Sequence, residues 1–502
     1  MACNPKKLFL LLTIGSLLVL AGCTVGPKYH PPTASVPSAP NYKESTVNFQ
    51  NTEGWKVASP QDALIKGKWW EIFNDTELNG LEEQLVINNQ NIQQFFQNFM
   101  EARALVAEAR AQYWPTVSTN PSWNRSKVSG TLTNSQQANP GRTSTVINFP
   151  IDVAWTPDFF GKIRNQVRSE QFGAQISAAD LENERLTEEA ALAQFYFEIR
   201  GQDALQKILS DTVAADQKSL ELTQTLYETG IDAYLSVVEA KLTLQTAQAQ
   251  LTNVGILRAQ YEHAIATLLG KPATEFAMPV RPMLVAPPPI PVGMPSKLLE
   301  RRPDIAAAER LLAQDNAIIG IGYGAFFPNI TLSATGGIES SKFSNLFTWP
   351  SRFWSIGPSI SQTIFNGGLY RAELHQYTAT YNANLATYRQ TVLTAFQQVE
   401  DSLAAVRIYS QVIAQQQEAV NSAQQYLGIE MDRYQIGIDP YLNVIIAQNS
   451  LLNNQQTLAT QQIDQMVQAV DLVVALGGGW DRSQLPTPEQ VSHTSSSDYK
   501  LP

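Results

Sequence analysis

The sequence has little charge and almost no cysteine. Only 16% of its 502 residues are charged, and the formal net charge is -10. Because a nucleic-acid partner requires a basic face, this balance argues against one. Both cysteines, Cys3 and Cys23, lie close to the N-terminus, so packing or assembly rather than disulfides has to hold the fold. Beyond Leu20 no apolar run is long enough for a membrane-spanning helix, and any insertion into a bilayer would come from strands.

Residue patterns for catalysis and metal binding are also lacking. The histidines, at positions 30, 263, 375 and 493, do not fall at the spacing of metal ligands. The stretch "GIGYG" at Gly320–Gly324 resembles a nucleotide-binding loop only faintly, because it comes late in a predicted helix and before a strand, the reverse of the required order. We predict that the protein is not an enzyme and has no catalytic site, metal or dissociable cofactor.

The N-terminus has the pattern of a targeting segment. Two lysines precede the apolar stretch Leu8–Leu20, which is too short for a typical spanning helix. The following "LAGC" resembles a bacterial lipobox. That resemblance implies a signal peptide at 1–22, a diacylglycerol on Cys23 and an extended, lipid-anchored segment at 23–72. Thr24 favours retention at the outer membrane. An ordinary signal peptide with a chance cysteine is the alternative.

The rest of the chain is an internal duplication. Leu226–Gly270 and Arg433–Gly477 align without a gap, with 14 of 45 positions identical. A weaker echo relates "AQYWPTV" at Ala111–Val117 to "GAFFPNI" at Gly324–Ile330. Such self-similarity indicates two structural repeats, which we place at 73–271 and 298–480. A proline-rich connector at 272–297 would join them, and a flexible tail would follow at 481–502.

Proline is absent from long tracts of both repeats. None occurs between Pro157 and Pro272 or between Pro358 and Pro440, and these tracts are rich in strong helix formers. A helix from Gly161 to Thr229 would be about 100 Å long. Apolar residues also recur every seven positions at matching places in both repeats, which indicates close helix packing: Val237, Leu244 and Leu251, and Val444, Leu451 and Leu458.

Two strand pairs separate the helices, at about 113–157 and 326–366. Apolar and polar residues alternate in them, for example in "INFPIDVAW" and "WSIGPSISQTI". Their length suits a tilted strand that crosses a bilayer. Aromatic residues at the strand ends resemble the interfacial belts of membrane barrels; the candidates are Tyr113, Trp114, Phe326 and Phe327. A soluble sandwich or helical bundle is the alternative.

Four strands cannot close a barrel by themselves. Known closed barrels have about eight strands or more, and open edges are not tolerated in lipid. Several chains must therefore share one barrel. Two copies would give eight strands and three would give twelve, and the residue pattern does not choose between them.

The long segment Leu298–Ala334, with "RRPDI" and "FFP", closely resembles the hallmark segment of the TolC-like outer membrane efflux proteins, in their lipoprotein branch of OprM/NodT type. The ending "LGGGW" at Leu476–Trp480 and the mature start "LAGCTVGPKY" resemble that branch as well. The resemblance covers essentially the whole mature chain, and its several motifs occur in the expected order.

The resemblance implies an α+β membrane protein and a homotrimer. Three chains would build a twelve-stranded β-barrel in the outer membrane, continued by a long α-helical barrel across the periplasm. The trimer would dock onto a periplasmic adaptor and an inner-membrane pump, and would conduct drugs or other small toxic compounds passively. A duct for type I protein secretion is the alternative within transport, and a structural envelope lipoprotein is the alternative from another class.

The phrases "YETGIDAYL" and "YQIGIDPYL" predict helical-hairpin tips. Gly230 and Gly437 would end one helix, and Asp232 and Asp439 would begin the next, with Pro440 in its first turn. In the family such tips close the tunnel. The resemblance therefore implies a gate at these residues: Leu235, Leu442, Asp232, Asp439, Tyr434, Tyr441, Glu239 and Ile446. The alternative is that the motif serves the turn alone.

Overall fold

The computed structural model describes residues 25–33, 42–44, 67–127, 129, 143–283, 285–292 and 298–493. The predicted signal peptide at 1–22 and the predicted lipid attachment at Cys23 lie outside the described residues. Within the ranges that the structure describes, none of the helices combines enough length with enough apolar character to cross a membrane.

Two long helical hairpins dominate the molecule. The first consists of α3 (Lys162–Glu228) and α4 (Tyr234–Leu268), and the second of α7 (Leu369–Gln435) and α8 (Tyr441–Ala475). Both first helices have 67 residues and both second helices have 35. At 1.5 Å per residue, each 67-residue helix is about 100 Å long. The proline-free tracts therefore form the predicted helices, and the two repeats match helix for helix.

Shorter helices flank each hairpin. The first repeat opens with α1 (Thr76–Asn88) and α2 (Gln90–Ala111), and the second with α5 (Leu298–Arg301) and α6 (Pro303–Gly324). Asp75 begins α1 by accepting hydrogen bonds from the backbone N–H groups of Glu77 and Leu78. Short 3₁₀ turns lie between these elements, at Trp69–Phe73, Ala273–Glu275, Phe343–Asn345, Trp349–Ser351 and Arg482–Gln484.

The strands form one antiparallel sheet that combines both repeats. They are β1 (Thr116–Thr119), β2 (Ser122–Lys127), β3 (Thr143–Trp155), β4 (Asn329–Ser340) and β5 (Arg352–Ser361). Both β1 and β2 pair with β3, so they act as one strand that is interrupted at Pro121, which lacks an N–H to donate. The sheet is thus a row of four: β1/β2, β3, β4 and β5.

The main hydrophobic core lies where α1, the middle of α3, α7 and the end of α8 meet. Trp69, Tyr196, Val392 and Val470 are buried there. The connector packs onto the same core, since the side chains of Met278 and Ile290 are also buried. The two repeats therefore share one core rather than folding as separate domains.

The tail prediction is wrong for residues 481–493. A short helix, α9 (Pro488–Ser492), carries a complete capping box formed by Thr487 and Gln490. Val491 is fully buried and packs against Val106 and Ala174. A five-residue helix is too short to show an apolar period, and the residues that receive it lie elsewhere in the chain, so the sequence pattern did not reveal it. The remainder of the predicted tail lies outside the described residues.

Candidate functional site

Each hairpin ends in the same glycine turn. Gly230 has φ 77° and Gly437 has φ 76°, the left-handed conformation that favours glycine. The N–H of Gly230 donates to the carbonyl of Tyr227, and the N–H of Ile231 donates to the carbonyl of Leu226. This pair of bonds is a Schellman motif, and the second tip repeats it. The predicted glycine turn after the first helix is therefore present at both tips.

The aspartates of the two tips differ from the expected N-caps. The residues that cap α4 and α8 are Ala233 and Pro440, and neither helix has a side-chain cap. Asp232 lies one residue earlier, where it accepts hydrogen bonds from the Ala233 N–H at 2.7 Å and the Ser236 hydroxyl at 3.0 Å. Asp439 instead forms an ion pair with Arg433. Neither carboxylate therefore occupies the N-cap position of the helix that follows it.

Tyr434 joins the two hairpins. Its hydroxyl donates a 2.6 Å hydrogen bond to the carboxylate of Asp232, which lies on the other tip. Burial and this hydrogen bond raise the pKa of the Tyr434 hydroxyl. Burial also tends to raise the pKa of Asp232, but the hydrogen bonds from Tyr434, Ala233 and Ser236 outweigh it and lower the pKa. Asp232 is therefore an ionised acceptor at neutral pH.

A small apolar cluster supports this contact. Tyr434 and Tyr441 are only 5% and 2% exposed, and their rings lie 5.1 Å apart. They pack with buried residues of the first hairpin: Leu220, Val237, Ala240 and Leu244. Nearby, Gln448 donates a 3.1 Å hydrogen bond to the hydroxyl of Ser219. The tip contact is therefore the end of a continuous seam between α3 and α8.

Three of the other predicted gate residues have exposed side chains. Leu442 and Ile446 stand one helical turn apart on α8, and both are exposed, as is Leu235 at the start of α4. Glu239 is half-buried. The structure thus brings Asp232, Tyr434 and Tyr441 together, and it leaves the leucines and Ile446 on free helix faces near the two tips.

Sequence reasoning missed Arg433. Its guanidinium pairs with Asp439, and this hydrogen bond lowers the pKa of the Asp439 carboxyl. The signal that could have revealed it is the comparison of the repeats, because the residue that matches Arg433 in the first repeat is Leu226. An arginine that is present at one tip and replaced by leucine at the other is a candidate partner for the aspartate of its own tip.

The predicted aromatic residues gather at the other end of the hairpins, where helices meet strands. Phe327 stacks on Phe160 with ring centroids 4.9 Å apart. Phe326 lies edge-on to Tyr370 at 5.7 Å. The carbonyl of Tyr113 accepts a 2.9 Å hydrogen bond from the Trp155 indole. Trp114, next to it, is highly exposed. Their placement at a membrane interface remains a prediction.

Comparisons with known proteins identify the family. The family model described as outer membrane efflux protein matches residues 81–271 and 294–478. The solvent efflux pump outer membrane protein SrpC of Pseudomonas putida is 33% identical over 484 residues, covering 94% of this chain and 99% of its own. The antibiotic efflux pump outer membrane protein ArpC of the same species is 31% identical and covers 94% and 96%. The solved outer-membrane channel OprN superposes with a TM-score of 0.82 at 28% identity, covering 91% of this chain and 100% of that one.

The long hairpins, the open sheet and the hairpin tips thus define a channel-forming protein of the bacterial outer membrane. The chain belongs to the outer membrane efflux protein family. It is an outer membrane efflux channel protein, which confirms the family, the α+β fold class and the location that the sequence predicts.

Proposed function

We propose that three copies of this chain form one conduit through the outer membrane and across the periplasm. In the described part of the chain, β5 and the interrupted β1/β2 strand each pair with a neighbour on one side only. This open row of four strands is the observation that supports assembly most strongly, because lipid does not tolerate open edges. Three rows of four would close a twelve-stranded barrel, and the helices of about 100 Å would continue it as a tunnel.

We also propose the partners and the anchor of this conduit. A passive channel needs an energy source elsewhere, which an inner-membrane pump would supply through a periplasmic adaptor. A diacylglycerol on Cys23 would hold the mature N-terminus at the outer membrane, next to the barrel. Mass spectrometry of the mature protein tests the anchor, since an unmodified thiol at Cys23 would contradict it.

The cargo is proposed to be small toxic compounds. Support comes from relatives that are named for efflux of solvents and of antibiotics. A deletion strain should become more sensitive to antibiotics, dyes, detergents, solvents or metals, and the gene returned on a plasmid should restore resistance. Unchanged sensitivity across all of these, with loss of a secreted protein instead, would favour a secretion duct.

The gate is proposed to be an apolar constriction at the hairpin tips. Leu442 and Ile446 would narrow the pore, while the contacts of Asp232, Asp439 and Tyr434 hold the tips in place. Leu235 and Glu239 would line the same mouth from the first hairpin. The support for this arrangement is the exposure of the Leu442 and Ile446 side chains on a helix whose opposite face is buried in the seam.

Replacing Leu442 tests this gate. We expect Leu442→Ser to raise the conductance of the closed channel in planar bilayers, because a polar, smaller side chain widens and wets an apolar constriction. The matched control is Leu393→Ser, since Leu393 is 50% exposed against 52% for Leu442 but lies about 60 Å along α7 from the tip. If Leu442→Ser stays as tight as the wild type, the gate assignment fails.

A further inference from the structure

The two hairpins are equivalent position by position, and this equivalence predicts contacts that a single chain cannot make. Residues of the second hairpin match those of the first at a constant offset of 207, as Tyr434 matches Tyr227 and Asp439 matches Asp232. The equal lengths of the paired helices extend this match over both hairpins. For each contact between the hairpins, a second contact can therefore be written in which each residue is replaced by the matching residue of the other repeat.

One half of this contact set is used within the chain. Tyr434 of the second tip donates to Asp232 of the first at 2.6 Å. Behind it along the seam, Gln448 donates to Ser219. Both contacts lie along the seam between α3 of the first hairpin and α8 of the second.

The equivalent half is unused within the chain. Tyr227 and Tyr234 form the same ring pair as Tyr434 and Tyr441, with centroids 5.4 Å apart and the same 55° angle. Yet they are 46% and 61% exposed instead of buried. Among the residues that the structure describes, neither phenol hydroxyl has a hydrogen-bond partner. Asp439, which matches the acceptor Asp232, pairs with Arg433 of its own tip.

The chemistry of the unused positions is complementary. Arg433 lowers the pKa of Asp439, so this carboxylate is ionised and suits a phenol donor. The positions that match Ser219 and Gln448 are Tyr426 and Lys241, and both side chains are exposed. A lysine can donate to the phenol oxygen of a tyrosine or lie over its ring. The free sides of α4 and α7 thus carry a second pair of matching partners.

We propose that a second copy of this chain completes the site, with Tyr227 of one copy donating to Asp439 of the next. Lys241 of the first copy then meets Tyr426 of the second along the same seam. Such a contact joins two different surfaces, the first hairpin of one copy and the second hairpin of the next. Repeated contacts of this kind form a closed ring when the rotation between copies allows it. The inference rests on the proposed assembly. It adds that both tip aspartates accept a hydrogen bond from a tyrosine: Asp232 from its own chain and Asp439 from a neighbouring copy.

Cysteine pairs in the full-length protein, expressed in the outer membrane, test the inference. Tyr227→Cys with Asp439→Cys is treated with a short bismaleimide and run on a denaturing gel. We expect a ladder of dimer and trimer. The matched control, Asp232→Cys with Tyr434→Cys, should react within the chain and stay at monomer size. Each single variant should give neither product.

A third pair separates failure of the tip contact from failure of the assembly. Lys241→Cys with Tyr426→Cys should give the same ladder from a position further along the seam. A ladder from this pair, without one from the Tyr227–Asp439 pair, would overturn the tip contact and leave the channel standing. Monomer-sized products from both pairs, with a trimer by native mass spectrometry, would overturn the whole seam. A monomeric native mass would overturn the proposed channel as well.

Discussion

At the scale of single residues, two buried acids stand out away from the tips. Glu189 on α3 is 6% exposed and accepts a 2.9 Å hydrogen bond from the Trp69 indole. Burial raises the pKa of its carboxyl to about 7. Glu82 on α1 is fully buried, and burial together with the nearby Glu189 raises its pKa well above the usual range. Both carboxyls therefore keep their protons to a higher pH than an ordinary glutamate does.

The raised pKa of Glu189 predicts a pH-dependent stability. Its contribution is complete below the ordinary pKa of 4.5 and is lost as the pH rises through about 7. Thermal unfolding should therefore show a lower Tm at pH 8 than at pH 5. Glu189→Gln, which stays neutral and can still accept from Trp69, should recover on the order of 3 kcal/mol at pH 8.

The control for this prediction is Glu418→Gln, at an exposed position on α7. That variant should keep the pH dependence of the wild type. An equal slope of Tm against pH in Glu189→Gln and in the wild type would show that Glu189 does not hold a proton in the folded protein.

At the scale of elements, the hairpins depend on glycine where the chain reverses. A Cβ at Gly230 or Gly437 would meet no atom of the described residues within 4 Å apart from its own chain neighbours, so space is available at both turns. The requirement is conformational, because both residues have positive φ and an L side chain there clashes with its own backbone.

Gly437→Ala should therefore destabilise the second tip by about 1–2 kcal/mol. Gly428→Ala, nine residues earlier in the helix that precedes this turn, is the matched control. Gly428 also has open space at the Cβ position but lies inside α7, so alanine there should stabilise by up to about 1 kcal/mol. Hydrogen exchange of the tip amides measures both effects. Faster exchange in both variants, or in neither, would contradict the argument.

At the scale of the whole molecule, a buried charge network fastens the connector between the repeats. Asp203 on α3 is fully buried and accepts from Arg200 at 3.1 Å and from Arg258 on α4 at 2.7 Å. It also accepts from the backbone N–H of Arg281 in the connector at 2.8 Å. Arg200 in turn donates to the carbonyl of Pro279. One carboxylate thus joins a hairpin to the chain that leads into the second repeat.

Removing the charge of Asp203 should weaken the whole fold. Asp203→Asn removes the buried carboxylate that Arg200 shares with Arg258, so that Arg200 keeps only the partly exposed carboxylate of Glu77, and we expect this to cost about 3 kcal/mol. Asp211→Asn breaks the exposed pair of Lys207 and Asp211 on the same helix and should cost about 0.5 kcal/mol or less. Denaturant unfolding of the purified protein compares the two. Similar losses in both variants would contradict a special role for Asp203.

The sequence by itself determined the local architecture. Absence of proline set the extent of the long helices, and the glycine turns set where each hairpin reverses. Alternation of apolar and polar residues located the strands, and the repeated phrase predicted two equivalent tips. These features follow from backbone conformation and from periodicity, which act between residues that are close in the chain.

Only the tertiary structure decided which copy of a motif is buried. Tyr434 and Tyr227 occupy matching positions of the repeated motif, yet Tyr434 is buried against the first hairpin and Tyr227 is exposed. The ion pair of Arg433, the buried Glu189 and the docked Val491 likewise depend on partners that the chain order does not reveal. A side chain's environment is set by whatever packs against it across hundreds of residues, and no local pattern encodes that choice.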